Sequence, residues 1–202
     1  MSAIVLSLKL PAAPALTLSE QLPTGRLIEI TRAKAGAQLT TAVACLRAAQ
    51  AEGQTAAWIQ PEGGSLFPPD LAQSGIDLDA LLVVHVPARA GAHGLPKAAE
   101  LLLRSGGFGM VVLDLSDLSM QRGGVWQGVW QGRLLGLARE HESWLLLLTH
   151  SHAGSLISLC LEPHRQRVER GMFTVEQRVR KDKSGMLCPL LAERRRGPWG
   201  LL

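Results

Sequence analysis

Three predominantly apolar runs, Leu81–Val86, Met110–Leu115 and Trp144–Thr149, restrict the folds open to this chain more than any other feature. A strand with one wet face alternates apolar and polar residues. A run that does not alternate has to bury both faces, the condition of a parallel sheet covered by helices on either side. Segments with helical spacing lie between the runs. Residues 95–105 stop at Gly106–Gly107, and residues 124–141 carry Trp126, Trp130, Leu134 and Leu137 along one stripe that reads as core. Upstream, residues 26–30 form a short strand-like run, and residues 39–51 place Leu39, Val43 and Leu46 at helical spacing before Gly53. Residues 55–59 read as the next strand. Strands alternating with helices imply βαβ units and an α/β domain built on a mainly parallel sheet.

After His150 the pattern changes. Residues 154–161, 166–169 and 173–180 are short strand-like runs broken at Pro163 and Gly171, followed by a polar turn at 181–185 and a last strand over 186–191. These predict antiparallel hairpins added to the parallel sheet. Residues 192–202 show neither a helical nor a strand period. The domain organisation is therefore one core over residues 1–191 and a basic tail over 192–202.

A length of 202 residues, 47% of them hydrophobic and 19% charged, suits a single globular domain. No apolar run approaches the ~18 residues of a membrane span. Near the start, Lys9 follows the apolar residues instead of preceding them, the reverse of a secretory signal. Cys45, Cys160 and Cys188 are widely spaced and contain no CxxC pair, so free buried thiols in a reducing cytoplasm are expected, with no metal site. The net charge of +4 is uneven. Residues 161–198 hold ten Lys or Arg against five Asp or Glu, while the rest is close to neutral. A basic C-terminal third on a neutral body predicts an anionic partner, either nucleic acid or an acidic protein surface.

The loop between the first strand and the first helix is where an open α/β sheet places its ligand. "LPTGRLIEI", a loop, then a helix ending "AAQAEGQTAAWIQPE", is similar to the RecA recombinase family. "SLISLCLEPHRQRVERG" with "TVEQRVRKDKSG" resembles the hairpin region near the end of that family's core, so the likeness covers roughly residues 22–191. It implies a RecA-like core: a mainly parallel central sheet flanked by helices, with C-terminal antiparallel hairpin strands. In that family the loop is a Walker A motif, whose glycines aim backbone amides at phosphates, whose lysine neutralises charge and whose hydroxyl holds magnesium. The resemblance puts Arg32 and Ala37 at the two glycines, Gln38 at the lysine and Leu39 at the hydroxyl. Lys34, elsewhere in the loop, is the lysine that could still reach a phosphate. Glu62 falls where the family has the glutamate that activates water, Asp114 at the Walker B aspartate and His150 at the γ-phosphate sensor. Read from their positions alone, these three residues cap or hold loop amides at strand ends. Without the lysine and the metal ligand, most electrostatic stabilisation of phosphoryl transfer is gone. The expectation is a non-enzyme with no cofactor.

The segments 117–124 and 149–154 are shorter than the family's two DNA-binding loop regions, which argues against strand exchange. Among RecA-like proteins with degenerate sites, the chain resembles the ImuA type, an accessory of error-prone translesion synthesis. That resemblance implies binding to ImuB, an inactive Y-family polymerase homologue, with RecA and DNA as further partners. A SulA-type division inhibitor acting on FtsZ and a residual ATP-binding paralogue are the alternatives. Arg194, Arg195 and Arg196 followed by Trp199, Leu201 and Leu202 combine charge with apolar anchors, a composition suited to a protein interface. Arg178, Arg180, Lys181 and Lys183 are the candidates for weak, sequence-independent DNA contact.

Overall fold

The computed structural model describes residues 22, 24–32, 36–64, 66–116, 129–150, 154–183 and 193–196. β1 (Arg26–Thr31), α1 (Gln38–Ala51), β2 (Ala56–Pro61), α2 (Pro68–Gln73) and β3 (Leu81–Val86) come first. A 3-10 turn over Ala88–His93 leads into α3 (Gly94–Ser105), then β4 (Met110–Leu115), α4 (Val129–Glu140) and β5 (Trp144–Thr149). The chain continues with β6 (Leu159–Glu169), β7 (Met172–Asp182) and β8 (Glu193–Arg196). They form one 8-stranded sheet in the order β3-β2-β4-β5-β1-β6-β7-β8. Every pairing from β3 to β6 is parallel, and β6–β7 and β7–β8 are antiparallel. This is the mainly parallel sheet with an antiparallel extension that the apolar runs and the RecA resemblance predict.

Neighbouring residues of each strand enter opposite cores. Ile28, Ile30, Trp58, Val112, Leu146 and Leu148 join Ala42, Leu46 and Ala49 of α1 on one face. Leu27, Ile59, Val111, Leu113, Leu145 and Leu147 join Leu95 and Leu103 of α3 and Leu134 of α4 on the other. Each fully buried Leu or Ile contributes about 1.5–3 kcal/mol, which is why an unbroken apolar run is stable only here. α3 closes at Gly106 with φ 65, a left-handed backbone that glycine adopts without strain, and its N–H reaches the Leu103 carbonyl at 3.1 Å.

α3 and α4 are also joined by a buried charge. Glu100, at 1% exposure, accepts a hydrogen bond from Lys97 at 3.1 Å and forms ion pairs with Arg104 at 3.0 Å and Arg133 at 3.0 Å. The Lys97 hydrogen bond, aided by Arg133 and Arg104 against the opposing effect of burial, holds its carboxyl below the usual glutamate range. Among the described residues, no helix is long and apolar enough to cross a membrane.

The sequence reading needs correction at several elements. β3 is not buried on both faces. It is the edge strand and half-exposed, with Leu82 at 42%. β6 does not break at Pro163 but runs on through it. Its parallel partner β1 ends at the Leu161 pairing, so beyond that point the strand is hydrogen-bonded mainly to β7, and a missing N–H is tolerated. Glu193–Arg196 forms a strand where the sequence has no strand period. α2 and the 3-10 turn have no counterpart in the sequence reading either. Trp126, Cys188, the last strand expected over 186–191, and Trp199, Leu201 and Leu202 lie outside the described residues.

Cys45 and Cys160 are buried thiols, neither of them in a disulfide. Burial, then the charge and hydrogen bond of Glu29, push the Cys160 thiol up to about 12. Thiolate is the reactive form, so Cys160 is expected to resist iodoacetamide at pH 8 until denaturant is added. Mass spectrometry showing prompt native alkylation would contradict this.

Candidate functional site

The carboxyl ends of β2, β4, β5 and β1 lie side by side, because β1 and β5 run in register from Arg26↔Trp144 to Thr31↔Thr149 and β5 continues in register with β4. Four of the sequence-selected residues meet at this end: Glu62 after β2, Asp114 in β4, His150 after β5, and Gln38 opening α1. Lys34 lies outside the described residues.

Gln38 is 9% exposed. Its Nε2 donates to the Ile30 carbonyl at 2.5 Å and to the Thr149 carbonyl at 2.8 Å. The amide therefore bridges the last turns of β1 and β5, a neutral donor pair where a lysine would bring charge. The Thr149 carbonyl also accepts Arg32 N at 3.0 Å. Directly beneath, Thr149 Oγ1 donates to Glu29 Oε1 at 2.9 Å, and Glu29 is fully buried opposite Cys160 in the β1–β6 register.

The loop and the first turn of α1 are fastened to the hairpin. Ala37 N donates to the Pro163 carbonyl at 3.4 Å, Gly36 bridges to His164, and Gln177 Nε2 of β7 donates to Thr41 Oγ1 at 2.8 Å. An amide that in a phosphate loop would face an anion is thus bonded to a carbonyl of β6. Ala37 supplies no side-chain cap, and the first turn holds no acidic residue. Leu39 is 37% exposed and has no oxygen to offer a metal.

Asp114 is 3% exposed, and its Oδ1 accepts Ser116 N at 3.0 Å and Ser116 Oγ at 2.6 Å, so it holds the loop after β4. Glu62 and His150 are exposed. Glu62 N donates to the Val86 carbonyl at 3.0 Å. Among the described residues, no group of three or more His, Cys, Asp or Glu is placed to hold a metal ion.

The basic candidates divide by role. Lys181 Nζ reaches the Gly154 and Ser155 carbonyls at 3.2 and 3.3 Å, and Lys183 Nζ reaches the Ser155 carbonyl at 2.7 Å. Both therefore tie β7 to the segment before β6. Arg180 pairs with Glu162 at 3.2 Å, and Arg178 is exposed. Arg194, Arg195 and Arg196 lie along β8, away from the strand ends that carry Gln38. Trp130 is half-buried, packs against the α3–α4 core and donates through Nε1 to His93 Nδ1 at 3.1 Å. Sequence reading missed Glu29, Pro163 and Gln177. A charged residue inside an apolar strand was the available signal for Glu29, while the other two carry none.

A family model described as the RecA N-terminal domain matches residues 7–122. Protein RecA of Kineococcus radiotolerans is 37% identical over 93 residues, covering 46% of this chain and 26% of the relative. Protein RecA of Clostridioides difficile is 33% identical over the same length, with the same coverage. That of Mycolicibacterium vanbaalenii is 38% identical over 94 residues, covering 46% of this chain and 25% of the relative. The match thus spans about a quarter of these relatives. A crystal structure of the RadB recombinase superposes with a TM-score of 0.61 at 14% identity, covering 86% of this chain and 88% of that one, a likeness of fold.

Proposed function

Because the chain belongs to the RecA family, we propose that it is a non-catalytic member retained for its surfaces, an ImuA-type accessory of error-prone translesion synthesis. The observation that carries the first half is Gln38. An amide bonded to the Ile30 and Thr149 carbonyls occupies the place the family gives to a phosphate-binding lysine, and Ala37 N is bonded to Pro163. Neither group offers charge to a phosphate, and Leu39 offers magnesium no ligand. The second half rests on the sequence resemblance and on the basic C-terminal third. Its partners are an ImuB-like inactive Y-family polymerase, RecA, and DNA held weakly and without sequence preference. With Lys181 and Lys183 tied to carbonyls and Arg180 paired with Glu162, Arg178 is the one of these four candidates left for phosphates.

Calorimetry with ATP and magnesium is expected to give no binding heat. A clear signal that Lys34→Ala removes would overturn the non-catalytic reading. Pull-down of an ImuB homologue is expected to fail on deletion of residues 192–202, and undiminished capture would remove the tail from the interface.

A further inference from the structure

The sheet ends on one side with an unusually charged strand. β8 pairs with β7 from Val175↔Glu193 to Met172↔Arg196, and among the described residues nothing pairs with its outer side. Three arginines and one glutamate occupy its four positions. The stretch of β7 beneath it, Met172 to Val175, is uncharged, and beyond it Glu169 of β6 shares the Met172–Arg196 row. β6 adds Arg165 and Arg167, the register partners of Val175 and Phe173, and the Arg165 guanidinium lies 4.9 Å from the Phe173 ring centre. Glu162, farther along the hairpin opposite Arg178, is already paired with Arg180 and His164.

An open edge presents backbone N–H and C=O groups as a template for another strand. Charge decides which strand can use it. A second copy offering its own β8 would set arginines against arginines, and like charges facing across a strand pair are destabilising. An extended acidic segment meets the same backbone groups with opposite charge. The other edge, β3, reads LLVVHV and has no Lys or Arg, so it has no means of preferring an acidic strand.

We propose that β8 is the docking edge for an extended acidic segment of a protein partner, which adds to the sheet as one further strand. Backbone hydrogen bonds supply the affinity and the arginines supply the selection. This rests on the reading of residues 192–202 as a partner surface, and adds to it a binding mode and a partner chemistry.

The test uses the full chain and fluorescence anisotropy with a labelled peptide of alternating glutamate and valine. Saturable binding that weakens with added salt is expected. A peptide with proline at every valine loses half its backbone N–H donors, and one with lysine for glutamate has the wrong sign. Each is expected to bind at least about tenfold more weakly. The double variant Arg194→Glu, Arg196→Glu is expected to lose at least about tenfold in affinity with its thermal unfolding unchanged, while Leu82→Lys on β3 leaves binding intact. Equal binding of the proline peptide would overturn the strand mode. Tighter binding of single-stranded DNA than of the peptide, abolished by the same double variant, would make β8 a nucleic-acid surface instead. Capture of the ImuB homologue separates this proposal from the reading beneath it. Loss on deletion of 192–202 with retention in the double variant sinks the β8 edge alone, and retention in both sinks the partner surface itself.

Discussion

A Trp58→Ala variant is expected to lose about 3–5 kcal/mol of stability, the range for emptying a fully buried indole site. Trp58 is 0% exposed in β2, between β3 and β4, in one core cluster with Leu46, Leu71 and Ile76. Aromatics are only 4% of this chain, so one indole fills space that the surrounding Leu, Ile and Ala cannot reclaim by small shifts. Among the described residues its Nε1 has no hydrogen-bond partner, so a phenylalanine here gives up volume but no such bond. Trp58→Phe is therefore expected to cost distinctly less than Trp58→Ala. Urea midpoints of the two variants check this, and a Trp58→Ala loss under about 1 kcal/mol would mean the site collapses.

The second large effect concerns Gln38. Leucine has a similar reach but no donor, so Gln38→Leu leaves the Ile30 and Thr149 carbonyls short of the bonds at 2.5 and 2.8 Å. The Thr149 carbonyl keeps its bond from Arg32 N, so the loss falls on the buried Ile30 carbonyl and is expected to cost about 1–3 kcal/mol. Gln38→Glu is expected to be worse than leucine, because a carboxylate would face two carbonyl oxygens. Hydrogen exchange at the first turn of α1 should speed up in both, since the side chain anchors that turn to β1 and β5. If leucine and glutamate were equally tolerated, the amide would be a bystander.

The strands were legible because burial on both faces leaves no polar alternation, and Met110–Leu115 and Trp144–Thr149 are central as that rule demands. The same rule misplaced Leu81–Val86. An apolar string states what a strand can bury, but its place in the sheet order depends on which strands form beside it. Pro163 was misleading for a related reason: a proline interrupts a strand only where its N–H is needed, and here β1 has already ended. At the candidate site, the loss of lysine charge could be read at Gln38 itself. Its new bonds could not, since the partners lie 8 and 111 residues away. Lys181 and Lys183 looked like phosphate ligands because a cation bonded to backbone carbonyls leaves no trace in sequence.

The position of β1 has a consequence for the life of the chain before it is folded. β2, β3 and β4 are neighbours in sequence and can pair as soon as they leave the ribosome. β1 leaves before them, yet both of its neighbours in the sheet, β5 and β6, are made only after β4. Glu29 and Thr149, which bond across that seam, are 120 residues apart. Until then the Leu27–Ile30 stretch has no sheet partner, an exposed apolar strand of the kind that aggregates. Closure over such separations is slow relative to local pairing.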